Sequence, residues 1–124
     1  MPKTTISFLR GFSFAGQGIW RAVATQRNMK VHLLAAVLVV TGGLVERITA
    51  TDWACVALAI GLVLTAETLN TVIETLTDLC TGEYHPLAKA AKDMAAGAVL
   101  LASASAVGVA AAVFLPRLLD SRPG

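Results

Sequence analysis

Hydrophobic positions run without a charged residue through three stretches of the chain, residues 31–45, 53–66 and 94–116. A helix that crosses the hydrocarbon core of a bilayer needs about 20 apolar residues. The third stretch is long enough unaided, the first gains length from its flanks, and the second continues as a helical pattern to Asp78. The pattern therefore predicts three transmembrane helices, at residues 29–48, 52–80 and 88–116.

The first 28 residues follow a different pattern, because charged side chains interrupt their apolar positions. At about 100° per residue, Phe8, Phe12 and Ile19 fall on one side of a helix, whereas Arg10 and Arg21 fall on the other. This arrangement predicts an amphipathic helix over residues 1–28 that lies on the membrane surface. On the pattern alone, Arg10 belongs to the solvated face of that helix.

The composition of the chain also indicates a membrane protein. Of the 124 residues, 56% are hydrophobic and 15% are charged, against about 25% charged residues in an ordinary soluble domain. A chain of this size would lack the side chains to coat a water-facing surface, so a soluble enzyme is excluded. A net charge of +2 is too small to indicate a nucleic-acid partner. The expected fold is a single all-α membrane domain, with the surface helix followed by three transmembrane helices.

Basic residues near the predicted spans indicate an orientation. One side of the membrane receives Lys3, Arg10, Arg21, Arg27, Lys30, Lys89 and Lys92, and the other receives Arg47, Arg117 and Arg122. Because basic residues accumulate on the cytoplasmic side, we expect the amino terminus and the loop between the second and third spans to be cytoplasmic.

The second span carries a polar stripe formed by Glu67, Asn70, Glu74 and Asp78. Their offsets of three, seven and eleven residues lie on one face of a helix. Measured down the helix from Trp53, Glu67 is about 21 Å deep, Glu74 about 31 Å and Asp78 about 37 Å. Against a hydrocarbon core of about 30 Å, the stripe runs from inside the bilayer to its cytoplasmic edge.

Ionisable groups inside a membrane helix are costly and mark candidate functional sites. A purely structural alternative is that one acid pairs with Arg21 or Lys30 reaching in from the interface. Three acids and an amide on one stripe favour chemistry instead. Glu67 is deep enough to accept a proton as a general base, and Glu74 is shallow enough to hold a hard cation through oxygen.

The segment after this span adds further charges at the same level. Because consecutive spans are antiparallel, Lys92 and Asp93 enter the membrane beside Glu74 and Asp78. Solvation at the interface would explain such charges by themselves, but with the stripe they form a ring suited to a metal-bound polyphosphate. No Walker A loop is present in the sequence. Three short helices cannot both enclose a polar stripe and face lipid all round, so geometry favours an oligomer.

Two motifs resemble a known family. The run E-T-L-N-T-V-I-E-T-L-T-D at 67–78, followed by G-E-Y-H-P-L-A-K-A-A-K-D-M-A-A-G-A-V-L at 82–100, is similar to the signature of the bacterial integral-membrane diacylglycerol kinases, which include the undecaprenol kinases. The resemblance implies a homotrimer in the bacterial cytoplasmic membrane that transfers the γ-phosphate of Mg-ATP to a lipid hydroxyl at the cytoplasmic interface.

The resemblance also implies roles for individual residues. Glu67 matches the general base, Asn70 its polar neighbour and Glu74 a metal-binding glutamate. Positions that contact nucleotide, or lie close to it, are matched by Asp78, Glu83, Tyr84, His85, Lys92 and Asp93.

The sequence departs from the family pattern at one metal position. Gln26 stands where family members often have a second metal-binding glutamate, and its amide carbonyl could still ligate magnesium, but without the negative charge. Arg10 is the best match to a surface-helix arginine near the phosphates. The segment Tyr84-His85-Pro86-Leu87 looks more like the undecaprenol-kinase branch, which favours a polyprenol acceptor over diacylglycerol.

Two other functions use the same residues. A small oligomer that conducts protons or cations could employ Glu67, Glu74 and Asp78 as a relay, but it would leave Tyr84 and His85 without a role. A non-catalytic assembly partner is the third possibility.

Overall fold

The computed structural model describes residues 3–120, which form four α-helices. The helices are α1, Lys3–Thr25; α2, Arg27–Glu46; α3, Ala50–Cys80; and α4, Pro86–Asp120. The all-helical prediction is confirmed, and α2, α3 and α4 are each long and apolar enough to cross a membrane. Residues 1–2 of the predicted surface helix and Arg122 of the orientation argument lie outside the described residues. The amphipathic surface helix and the trimer stay predictions.

Each helix boundary has a local cause. Gln26 is extended, with φ −103° and ψ 118°, and this single residue separates α1 from α2. At the end of α2, Arg47 adopts the left-handed conformation with φ 52° and donates its N–H to the Gly43 carbonyl, a common way to close a helix. Thr49 and Asp52 then start α3 through a reciprocal capping box.

The turn between α3 and α4 is also built from local hydrogen bonds. Thr81 and Glu83 exchange two of them, in which the Thr81 hydroxyl donates to the Glu83 carbonyl and accepts from the Glu83 N–H. Pro86 occupies the first position of α4, where its fixed φ fits and its missing N–H costs nothing. The Leu87 N–H donates to His85 Nδ1 at 3.1 Å, which caps the helix.

The buried core is small and lies mainly between α3 and α4. Its first cluster joins the ends of three helices through Ile48, Val56 and Val113. The second cluster lies midway along the bundle and consists of Val63, Ala66 and Ala102. Many large apolar side chains face outward instead, including Leu58, Leu100 and Leu101, as expected of helices whose surroundings are lipid or other helices.

One close packing contact fixes the approach of α2 to α3. Gly43 is buried, and a methyl group added to it would lie 2.7 Å from Trp53 Cη2 and 3.0 Å from Ile48 Cδ1. Since real Cβ atoms do not approach other carbons this closely, only glycine fits under the indole ring. Arg117 closes the same end by donating to the Glu46 carbonyl at 3.2 Å and to Asp52 at 3.1 Å.

Candidate functional site

The polar stripe of α3 runs from a fully buried side chain to an exposed one. Glu67 is 2% exposed and Asn70 is 7% exposed, Glu74 is half-buried, and the Asp78 side chain is 69% exposed. Because helical spacing puts all four on one face, the stripe forms a graded path from the bundle interior to its α3–α4 end. Val63 and Ala66, packed against Ala102 of α4, form the apolar surroundings of the buried part.

Burial leaves two polar atoms of the stripe without satisfactory partners. Among residues 3–120, neither Glu67 Oε2 nor Asn70 Oδ1 makes a hydrogen bond of acceptable geometry. Uncompensated buried polar atoms cost free energy. Buried unsatisfied atoms of this kind call for an explanation, and a ligand group is a candidate partner for Asn70 Oδ1.

Neighbouring members of the stripe contact one another. Asn70 Nδ2 lies 3.5 Å from Glu74 Oε1 and donates to it. The Asn70 amide and the Glu74 carboxylate therefore lie within about one turn of helix. Oxygen donors of this kind suit magnesium, which in enzymes is held by one or two carboxylates together with phosphate oxygens and water.

The exposed end of the site joins two helices. Lys92 Nζ on α4 lies 2.7 Å from Asp78 Oδ1 on α3, and Lys89 Nζ lies 2.5 Å from Asp93 Oδ2 within α4. The fold thus brings Asp78, Lys92 and Asp93 to one level beside the end of the stripe, as the antiparallel arrangement predicts. The ammonium groups are exposed enough to exchange these carboxylates for the oxygens of a phosphate.

Three predicted nucleotide contacts lie in the turn that follows α3. Glu83, Tyr84 and His85 are all exposed, and the Tyr84 ring is 78% accessible. Because His85 Nδ1 accepts a hydrogen bond from the backbone, a neutral ring carries its proton on Nε2 and presents that nitrogen as a donor.

The remaining predicted residues are not assembled with the others in the single chain. Arg10 is exposed on α1. Gln26 lines a cavity of about 460 Å³ between α1 and α3, together with Arg21 and Thr71, and Glu74 is not part of that lining. Within the described residues 3–120, no group of three or more His, Cys, Asp or Glu side chains is arranged to hold a metal.

His32 was given no role from the sequence, yet it contacts the predicted base. Its Nε2 on α2 lies 3.3 Å from Glu67 Oε2 on α3. In the sequence, His32 is a lone histidine inside an otherwise apolar span. It carries no formal charge when neutral, so it does not stand out among the charged residues.

Known proteins resemble this chain over most of its length. The family model for prokaryotic diacylglycerol kinase matches residues 13–114. An undecaprenol kinase of Bacillus subtilis (strain 168) is 41% identical over 111 residues, which cover 90% of each chain. A diacylglycerol kinase of Synechocystis sp. is 45% identical over 115 residues, covering 92% of this chain and 66% of that one.

A more distant relative agrees with these two. A diacylglycerol kinase of Escherichia coli (strain K12) is 34% identical over 113 residues, which cover 86% of this chain and 90% of that one. All three relatives are named for the phosphorylation of a lipid, and three helices of the present chain can span a membrane. The chain therefore belongs to the prokaryotic diacylglycerol kinase family and is a multi-pass membrane lipid kinase.

Proposed function

We propose that the enzyme transfers the γ-phosphate of Mg-ATP to the hydroxyl of undecaprenol at the cytoplasmic surface of the bacterial membrane, with diacylglycerol as the alternative acceptor. The observation that carries this proposal is the burial gradient of the α3 stripe, from a carboxylate 2% exposed to one 69% exposed. A lipid hydroxyl approaches from the apolar side and a nucleotide from water, so a site for both needs polar groups at both depths.

Glu67 acts as the general base in this proposal. Its carboxylate accepts the proton of the lipid hydroxyl as the hydroxyl oxygen forms a bond to the γ-phosphorus. The bond from that phosphorus to the β–γ bridging oxygen breaks, and ADP leaves with the electron pair. Phosphoryl transfer is governed mainly by positioning and charge neutralisation, and a carboxylate held between packed helices is well positioned to receive the proton.

Glu74 and Asn70 would hold the magnesium ion. The half-buried Glu74 carboxylate supplies the charge, and the unpartnered Asn70 Oδ1 supplies a neutral oxygen one turn away. When bound, the ion neutralises charge on the transferring phosphate. Gln26 is the other proposed ligand, although it lines the α1–α3 cavity in the single chain.

The exposed end of the site would bind the nucleotide. Lys92 exchanges the Asp78 carboxylate for phosphate oxygens, His85 offers Nε2–H, and Tyr84 supplies an exposed ring for contact with the base or sugar. Glu83, Asp93, Asp78 and Arg10 complete the proposed contacts.

A homotrimer would complete the site. Arg10 and Gln26 stand apart from the α3 stripe within one chain, and large apolar side chains on α2, α3 and α4 face outward. A neighbouring copy of the chain would cover part of this surface and bring missing groups to the stripe.

One relative that covers most of both chains supports the polyprenol acceptor. The Bacillus subtilis undecaprenol kinase covers 90% of each chain at 41% identity. The Tyr84-His85-Pro86-Leu87 segment points in the same direction.

The test is a kinase assay with radiolabelled ATP on undecaprenol and on diacylglycerol, presented separately in lipid vesicles. We expect label on undecaprenol to exceed label on diacylglycerol, and Glu67→Gln to reduce transfer by at least about 100-fold, in line with the 10²–10⁴-fold contribution typical of general bases. Glu46→Gln is the matched control, since this glutamate lies at the far end of α2 and, among residues 3–120, its carboxylate makes no ion pair or side-chain hydrogen bond.

The outcomes separate the parts of the proposal. Transfer to neither lipid by the wild-type protein would overturn the proposed reaction. Preferential labelling of diacylglycerol would make diacylglycerol the acceptor and leave the proposed reaction unchanged. Near-normal turnover of Glu67→Gln, with Glu46→Gln also normal, would remove Glu67 from the role of base.

A further inference from the structure

His32 is a polar side chain in a part of α2 that is otherwise apolar. Its ring is 20% exposed and lines a groove of about 260 Å³ between α2, α3 and α4. Apart from His32, Ser103 is the only polar residue of that lining. A histidine ring placed here must find its polar partner on the side away from the groove.

Glu67 is that partner. His32 Nε2 lies 3.3 Å from Glu67 Oε2, without the angle of a good hydrogen bond. The distance between the two atoms is within hydrogen-bond range, so a change in the ring angle is all that an Nε2–H needs to donate to this oxygen. Within residues 3–120, no other basic side chain lies within 4.0 Å of the Glu67 carboxylate.

Apart from His32, the groove beside the pair has no ionisable residue in its lining. The segments of α3 and α4 that line the groove, 53–66 and 94–116, contain no charged residue. On α2 the charged residues nearest to His32 in sequence are Lys30 and Arg27, and on α3 the next acid after Glu67 is Glu74, which contacts Asn70. The orientation of the Glu67 carboxylate is thus left to His32.

We propose that His32 is the positioning residue of the Glu67 base: its Nε2–H holds Oε2, so that Oε1 is the oxygen that receives the proton of the substrate hydroxyl. This rests on the proposed role of Glu67. A carboxylate whose two oxygens are assigned in this way keeps one orientation, and fixed orientation of a base is a large part of its effect. His32 itself touches neither the lipid nor the nucleotide in this scheme.

The kinetic test compares His32→Leu with His32→Gln in the full-length protein in lipid vesicles. Leucine removes the donor, and we expect kcat to fall about 10–100-fold, as for partners that orient a reactive group, with the KM for ATP changed less than about twofold. Glutamine carries an amide N–H of similar reach, so His32→Gln should recover most of the loss. Thr41→Val is the control, because it removes a polar group from α2 far from Glu67.

A double-mutant cycle supplies a readout that does not depend on activity. The thermal midpoint Tm is measured for His32→Leu in the wild-type and Glu67→Gln backgrounds. A direct contact makes the Tm change differ between the two backgrounds, whereas equal changes would overturn the contact.

Two further results would overturn the positioning role. One is a wild-type kcat for His32→Leu, and the other is equal kcat for the leucine and glutamine variants. If the wild-type protein transfers no phosphate, the proposed function fails, and the Tm cycle still decides whether His32 and Glu67 act together.

Discussion

The two ends of the helical bundle are built in opposite ways. At the end where α2 turns into α3, hereafter the α2–α3 end, Gly43 lies under Trp53 and Arg117 ties α4 to both neighbouring helices. At the end where α3 turns into α4, the α3–α4 end, side chains are exposed and one ion pair, Asp78–Lys92, joins the two helices in the described chain. The first end is closed by packing, and the second keeps its charged groups available.

The difference separates residues that stabilise the fold from residues that serve the reaction. Contacts at the α2–α3 end use partly or fully buried groups, and breaking them costs free energy of unfolding. Contacts at the α3–α4 end are exposed, so they contribute little to stability and can be exchanged for ligand. Substitutions at the α2–α3 end should change stability with little effect on turnover. Substitutions at the α3–α4 end should change turnover with little effect on stability.

Between the two ends, the larger expected effect is on activity at the α3–α4 end. Lys92→Met should lower kcat/KM for ATP by about 10–100-fold, or roughly 1.4–2.7 kcal/mol of transition-state stabilisation, because an ammonium group that faces phosphate is lost. Its free energy of unfolding should change by less than about 1 kcal/mol, since the pair with Asp78 is exposed.

The measurement is ATP-dependent lipid phosphorylation together with chemical unfolding in detergent. A Lys92→Met protein that keeps full activity and loses stability would show that the α3–α4 end stabilises the fold and does not serve the reaction.

A smaller effect is expected on stability at the α2–α3 end. Gly43→Ala places a methyl group 2.7 Å from the Trp53 ring, and overpacking of this kind costs about 1–3 kcal/mol. The gain in helix propensity offsets at most about 1 kcal/mol of that cost. We expect a lower Tm and unchanged KM for ATP.

Gly61→Ala is the matched control, because an added methyl at this position on α3 meets nothing within 4 Å in the single chain. Its Tm should stay level or rise. A larger loss of Tm for Gly61→Ala than for Gly43→Ala would show that a second chain approaches α3 there more closely than α2 approaches Trp53.

The smallest effect is expected from Arg117→Met. This change removes the hydrogen bonds to the Glu46 carbonyl and to Asp52 while keeping an apolar side chain of similar length. The Tm should fall by less than in Gly43→Ala, because the guanidinium is only partly buried and its partners regain contact with water.

Turnover of Arg117→Met, measured well below its Tm, should match the wild-type rate. A loss of activity comparable to that of Lys92→Met would show that the α2–α3 end also serves the reaction.

Periodicity predicted much of this molecule because its strongest signals are local. The absence of charge over 94–116 was enough to predict a long apolar helix, observed as α4. The spacing of Glu67, Asn70 and Glu74 was enough to put them on one face, since helical geometry depends only on residue number.

Contacts between distant segments were not predictable in the same way. Arg117 meets Asp52 across 65 residues, and the sequence offers many other acids as partners. His32 was overlooked because one imidazole does not interrupt a hydropathy pattern, although its position opposite Glu67 depends on how α2 packs against α3. The position of Gln26 in the lining of the α1–α3 cavity depends on how α1 packs against α3.

Because Gln26 alone separates α1 from α2, a small rotation of its backbone moves the far part of α1 by a large distance. Arg10 lies 16 positions before the break, about 24 Å along a straight helix, so a rotation of about 10° in one backbone dihedral of Gln26 displaces Arg10 by roughly 4 Å. Such a step is larger than the length of a hydrogen bond. Gln26 is therefore the pivot that sets where Arg10 lies relative to α2 and α3.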